Sequence, residues 1–479
     1  MKIVKERSRL IFTEYTPEDQ RKIEGLVSTM TNIFTYTDDS KHAIYLPTGM
    51  EKSVRSTFPT ASFVDNSAEH WMAKKAAPEV EKHFEPRNDL QRDAIKFALG
   101  HAEHKRKVGF INNPGTGKTF MASYCAVKVG LKTLIIAPTI GTRDQWADSL
   151  IKMLGVDRNN VTIASSAKEF ITSRSDYVVT MQPTLATINR TYDLERILRD
   201  KHFGIKIIDE CQMWFKNIIQ VDGCANIAHN WYLTGTFGRS GETENKIFQE
   251  MFGDIELFVE KDKKPTIFNP KPGNIYGQKP HMNVDMFWMD SGITREQAES
   301  QRRATMYGVS IPKYTEMILP ASGAETIFVK KLIKIVSRAE SKVPYGSSLI
   351  LVPTINSVEI LAKHIRKAFP KLKVGTIHSH NLKADNDRAK AESDILISTV
   401  KSCGTGFDVP TLAKLIVAEQ FKSWILTTQV AGRLRRRPDG RETYMCDIVD
   451  KNIKQLRSWG SSRAELLKKI SKKFTVIDI

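Results

Sequence analysis

The residues best suited to chemistry begin in the run NNPGTGKT, where Lys118 follows Gly115 and Gly117 and precedes Thr119. Glycines at those positions let the backbone curl with its amides inward, lysine supplies a point charge to β- and γ-phosphates, and the threonine hydroxyl can reach Mg2+. With Pro114 and Thr116 completing the loop, the run is a cradle for the phosphates of ATP. One position departs from the full signature, because Asn112 stands where the pattern asks for glycine. The flanks fit: VGFIN reads as a buried strand, and FMASYCAVKVG as a helix whose N-terminus faces the phosphates.

A second cluster follows in IKIIDECQ, where two carboxylates come directly after β-branched residues, at the carboxyl end of a buried strand. Ligands bind there in open α/β sheets. Asp209 is suited to hold Mg2+, directly or through water, and Glu210 to orient and deprotonate the water that displaces the γ-phosphate in line. A solvated acidic pair is the plainer reading of such a strand end, and the phosphate loop upstream argues against it. Far downstream, in QVAGRLRR, Gln429, Arg433 and Arg436 recur at spacings of four and three, so they share one face of a helix or turn and can converge on one anion. Arginine suits charge developing on a γ-phosphoryl group because its planar fork stays charged. On charge alone RLRRR reads as a solvated or nucleic-acid-contacting face; the glutamine and glycine at fixed offsets favour the phosphate.

These groups need rigid elements to hold them. At 479 residues the chain is long enough for two to four domains. Residues 1–83 read as a small α+β accessory region rich in Lys and Arg, with TPEDQRKIEGLVSTM a helix after a Thr cap. It is suited to grip duplex or junction, or to serve structure alone. Residues 84–254 alternate short apolar runs with amphipathic stretches, the pattern of a parallel sheet flanked by helices, with VGFI, TLIIAP, DYVVT, KIIDE and WYLTGT as strands. Residues 255–325, rich in Pro, Lys, Met and aromatics, break the pattern and read as an interdomain insertion. The alternation resumes over 326–479 with SSLILVP, KVGTIHS, DILIST and KLIVAE, without a second phosphate loop.

The formal net charge of +18 favours a polyanionic track over a merely soluble basic surface once an ATP site is present. No apolar run approaches the length needed to span a bilayer, and MKIVKERSRLIF lacks the long apolar segment of a secretory signal, so a cytoplasmic protein away from membranes is expected. Five cysteines, Cys125, Cys211, Cys224, Cys403 and Cys446, form no C-x-x-C pair, which points to reduced thiols and no structural zinc.

Taken in order, PRNDLQ, the phosphate loop, DECQ, LTGT, GTGFDVP and QVAGRLRR resemble the motifs of a superfamily 2 helicase over residues 84–460. The resemblance implies an α/β fold of two tandem RecA-like parallel-sheet domains that sandwich ATP, with the N-terminal accessory domain added. It implies that Arg87 and Gln91 read adenine and that Gln212 joins the catalytic set. Pro138, Thr139 and Trp146 of APTIGTRDQW, Thr180 and Gln182 of TMQPT, and Thr354 and Thr399 further on would grip a nucleic acid backbone. Thr234 and Thr236 would couple hydrolysis to movement, and Gly406 and Asp408 would sit at the nucleotide and strand interface. Gln212 in place of His or Asp disfavours the RNA-type DEAD-box group. Within the superfamily, the organisation is similar to the phage UvsW-type DNA helicases, implying ATP-driven branch migration, fork regression and unwinding of junctions or R-loops. That reading carries recombination or replication proteins as partners and, for a phage gene, the host cytoplasm as location. An RNA helicase and an ATP-switched binding or annealing protein are the alternatives.

Trp214, Phe215, Trp231, Trp288 and Trp424 could stack on bases, and the default for each is the core, Trp288 in the irregular segment having the strongest case for a nucleic acid role. The DMFWM run and His378 are likewise read as packing.

Overall fold

The computed structural model describes the chain except for residues 77–84, 104–106, 113–115, 236, 240, 259–281, 295, 298–308, 404–408, 435–436 and 438. The chain divides into two compact units, Met1–Pro270 and Lys271–Ile479.

The first unit opens with a five-stranded mixed sheet of β1 (Lys2–Lys5), β2 (Arg9–Thr13), β3 (Tyr36–Asp38), β4 (Ala43–Pro47) and β5 (Ser62–Asp65), in the order β3-β4-β2-β1-β5. Its helix Pro17–Leu26 starts as TPED requires: the Thr16 side chain accepts from the Asp19 amide, and Asp19 accepts from the Thr16 amide. That reciprocal box satisfies donors the first helical turn leaves orphaned. The sheet packs onto the rest of the unit. Ser8 Oγ donates to the Ala225 carbonyl at 2.8 Å, Arg9 reaches the Gly223 carbonyl at 2.5 Å and Glu195 at 3.0 Å, and Phe34 lies 4.7 Å from Phe215.

A seven-stranded sheet follows: β6 (Lys107–Ile111), β7 (Thr133–Ala137), β8 (Val161–Ile163), β9 (Tyr177–Met181), β10 (Ile205–Asp209), β11 (His229–Thr234) and β12 (Glu256–Phe258). All its pairings are parallel, in the order β12-β6-β11-β10-β7-β9-β8. Strands β6, β7, β10 and β11 are buried along their whole length, as apolar runs covered by helices on both faces must be. The carboxyl ends of β6, β11, β10 and β7 therefore lie side by side, which gathers the phosphate loop, LTGT, DECQ and APTI on one edge.

The second unit holds another all-parallel seven-stranded sheet: β13 (Met282–Met289), β14 (Ser347–Val352), β15 (Val374–Ile377), β16 (Ile395–Thr399), β17 (Leu412–Val417), β18 (Thr443–Asp450) and β19 (Ser471–Asp478), ordered β15-β16-β14-β17-β18-β13-β19. Two tandem RecA-like α/β domains with a small mixed N-terminal sheet are thus present.

The insertion expected over 255–325 needs correction for its described parts. β12 is the edge strand of the first parallel sheet, and β13 lies inside the second between β18 and β19. The run MNVDMFWM disguises a strand because Asp285 interrupts it; that carboxylate is buried and bonded by Lys342 at 2.7 Å, Tyr444 at 2.5 Å and Arg338 at 3.2 Å. All five cysteines are free and buried. Among the described residues no helix is long and apolar enough to cross a membrane.

Candidate active site

The described end of the phosphate loop is braced from behind. Gly117 has φ +90° and caps the helix Lys118–Val129. A Cβ there would also meet the side-chain amide nitrogen of Gln91, which would have to shift, and the positive φ itself favours glycine. Gln91 Nε2 donates to the Thr116 carbonyl at 2.9 Å, and its Oε1 accepts from the Arg87 amide at 2.9 Å. With both ends of its amide bonded to backbone, Gln91 braces the loop; the Arg87 side chain is exposed. Lys118 Nζ donates to the Asn112 carbonyl at 2.8 Å, and the Asn112 amide donates to the Thr234 carbonyl at 3.2 Å. These contacts use only the backbone of residue 112, which is why asparagine substitutes for glycine.

Asp209 ends β10, and Glu210 turns the chain with φ +49°. Trp146 Nε1 donates to Asp209 Oδ2 at 2.9 Å, and the Glu210 amide donates to Asp209 Oδ1 at 3.0 Å. Trp146 is fully buried, so its expected place on a nucleic acid backbone is corrected: its indole fixes a carboxylate rotamer. Beside it runs a relay. Thr234 Oγ1 donates to Gln212 Oε1 at 2.5 Å, and Gln212 Nε2 donates to Glu210 Oε2 at 2.6 Å. Thr234 also separates the two motifs in the sheet, since β11 pairs with β6 on one side and with β10 on the other.

Burial, and next the charge of Glu210, pushes the Asp209 carboxyl up to about 7, against the Trp146 hydrogen bond and the Lys118 charge. Among the described residues Asp209 forms no ion pair, and the Lys118 charge only partly offsets its burial. Mg2+ fits this donor set: a hard dication takes oxygen ligands, and Asp209 and Thr119 offer a carboxylate and a hydroxyl.

Other expected contact residues fare differently. Thr180 is buried and its hydroxyl donates to the Ala164 carbonyl at 3.1 Å, so it faces the core and not a strand. Gln182 is 2% exposed, and neither end of its amide has a hydrogen-bond partner. Thr139 caps the helix Ile140–Asp148, and the Pro138 carbonyl accepts from Trp214 Nε1 at 3.3 Å. Thr354 caps the helix Ile355–Ala368, while the buried Thr399 hydroxyl closes a turn with the Ser402 amide at 2.9 Å. Gln429 lies in the last turn of the helix Trp424–Ala431, and Arg433 follows in the turn beyond it. Pro114, Gly115, Thr236, Gly406, Asp408 and Arg436 lie outside the described residues. Phe215 and Trp231 are core, but Trp214 is 48% exposed, contrary to the default. Trp288 is half-buried in β13, within regular structure, and Trp424 is half-buried at a helix start. His378 is buried and pairs with Glu359 at 2.9 Å.

Residues 74–237 match the family described as Type III restriction enzyme, res subunit. The putative helicase 161L of Invertebrate iridescent virus 6 is 26% identical over 379 residues, 74% of each chain. The probable helicase D10 of Escherichia phage T5 is 25% identical over 355 residues, 72% of this chain and 68% of that one. The chain is thus similar to helicases over about three quarters of its length, and to the res-subunit family over residues 74–237. Among solved structures, the Type ISP restriction-modification enzyme LlaBIII bound to DNA aligns with TM-score 0.54 at 14% identity, over 89% of this chain and 34% of that one. S. cerevisiae Dbp5 bound to RNA and ADP BeF3 aligns with TM-score 0.53 at 13% identity, over 82% and 94%. Both likenesses concern the fold alone.

Proposed function

We propose that this chain is an ATP-hydrolysing DNA helicase or translocase that acts on branched or duplex-containing DNA, in the manner of UvsW-type branch migration. The observation that carries the reading is the edge where Lys118, Asp209 and the Thr234–Gln212–Glu210 relay meet, each held by a neighbouring element. Lys118 binds the β/γ-phosphates, and Thr119 with Asp209 holds Mg2+, which when bound neutralises phosphate charge. Gln212 holds Oε2 of Glu210, and the carboxylate so fixed is read as orienting water and accepting its proton. Arg433 and Arg436 are read as the donors for charge developing on the γ-phosphoryl group. Gln212 at the fourth motif position, the charge of +18 and the viral and phage relatives support DNA as the track and the cytoplasm of an infected cell as the setting, with recombination or replication proteins as partners.

The experiment is steady-state ATP hydrolysis without nucleic acid and with single-stranded DNA, duplex, a four-way junction and RNA, beside Lys118→Ala. Greatest stimulation by duplex or branched DNA, abolished by the substitution, is the expected result. Stimulation by RNA alone moves the reading to an RNA helicase, and hydrolysis indifferent to every nucleic acid leaves only an ATP-switched binding protein.

A further inference from the structure

Downstream of LTGT, Arg239 makes contacts that none of the motif assignments uses. Its Nη1 donates to the backbone carbonyl of Gln212, the residue whose side chain holds Glu210. Its Nε and Nη2 grip Glu244 Oε1 at 3.0 and 2.8 Å, and its own amide donates to Asn245 Oδ1 at 2.7 Å. Gln249 Nε2 holds the Phe237 carbonyl at 2.9 Å. The segment after LTGT is therefore fastened along the helix Glu242–Met251, which is itself seated: Ser53 Oγ bonds Glu250, and Phe248 packs 5.2 Å from Phe215.

We infer that Arg239 is a positioning residue for ATP hydrolysis, a clamp that fixes the Glu210–Gln212 turn against the helix Glu242–Met251 through Glu244. The turn needs fixing. Glu210 and Trp214 both sit at positive φ, at +49° and +54°, a region that costs a non-glycine residue energy and persists only where surroundings enforce it. Gln212 is consequently tied by its side-chain oxygen to Thr234 and by its carbonyl to Arg239, which leaves its amide nitrogen one orientation in which to present a hydrogen bond to Glu210. Arginine is required because one planar fork must reach a carbonyl and a carboxylate together.

This inference rests on the hydrolytic reading above, and its test separates the two. In the full-length protein, Arg239→Ala, Arg239→Lys and Glu244→Gln are compared with wild type for DNA-stimulated kcat, for affinity toward a fluorescent ADP analogue, for melting temperature, and for amide exchange across residues 209–214. Arg239→Ala should lower kcat by roughly tenfold to a hundredfold, the scale of a catalytic group displaced by about an ångström. Affinity for the ADP analogue should stay within about twofold, because the clamp does not touch the phosphate loop. Exchange across 209–214 should quicken, and Arg239→Lys should recover part of kcat. Unchanged kcat, or losses in kcat, affinity and melting temperature together with no recovery by lysine, would overturn the clamp. If wild type itself hydrolyses no ATP, the hydrolytic reading fails, and unchanged exchange in Arg239→Ala would separately show that Arg239 does not order the turn.

Discussion

Asp209 and Asp447 are both carboxylates sealed from water on strands of all-parallel sheets, and their surroundings differ in kind. Asp447, inside β18, faces the buried guanidinium of Arg463, whose Nε donates at 3.0 Å while its other nitrogens reach the Phe421 and Ile448 carbonyls. Asp209, at the carboxyl end of β10, receives among the described residues the Trp146 indole and the Glu210 amide. The first carboxylate has its countercharge built in and serves the fold. The second is oriented by neutral donors, next to a second carboxylate, with only the Lys118 charge acting on it and no ion pair, and on the proposed function a dication would complete its compensation. A buried acid without an ion-pair partner is thus a better marker of function than burial or charge alone.

The largest loss should come from Glu210. Glu210→Gln should lower DNA-stimulated hydrolysis by roughly a hundredfold or more while ATP binding persists, since it removes the proton acceptor and keeps the shape; a variant with near wild-type turnover would place hydrolysis elsewhere. Asp447→Ala should cost about 3–5 kcal/mol in denaturant unfolding, because it leaves Arg463 buried and unpaired. Asp209→Asn should cost no stability and equally abolish hydrolysis; if both substitutions destabilise alike, the contrast drawn here fails. Trp146→Phe should raise the Mg2+ concentration needed for half-maximal hydrolysis by about tenfold, the usual scale for removing an outer support of a metal ligand.

The smallest effect concerns Glu419, whose carboxyl burial pushes up to about 7, against the Val400 amide and the Lys401 charge. A raised carboxyl pKa means the folded state holds a proton the unfolded state has lost, so this group's contribution is complete below the unfolded value and disappears as pH climbs toward 7. Glu419→Gln should therefore be more stable to denaturant than wild type at pH 8, by about 1–2 kcal/mol, and match it near pH 4. A constant difference at both pH values would assign the effect to packing.

Much of this was legible in the chain. Each run of the first parallel sheet that leads into a motif was visible, because strands buried on both faces are mostly apolar, as in TLIIA and IKIID. Thr16 and Asp19 announced their helix through capping chemistry. β13 was hidden, since its buried Asp285 obtains partners from Arg338, Lys342 and Tyr444, residues distant in sequence. The same cause hid the bonds that Trp146 makes to Asp209 and Gln91 to the phosphate loop, which motif position did not suggest. Arg239 lies only three residues past LTGT, and nothing in the spacing reveals that its fork closes on Gln212.

One feature of the first unit reaches beyond chemistry. Gly49 lies so close to the Glu250 and Met251 carbonyls that even a methyl group would collide with them, and Thr48 with Asp254 encloses the ammonium of Lys107 at the start of β6. The N-terminal sheet is keyed into the wall of the first parallel-sheet domain. A gene fragment beginning at residue 84 would encode a domain with an open seam, and an exchange between related genes at that point would join surfaces that had not fitted each other.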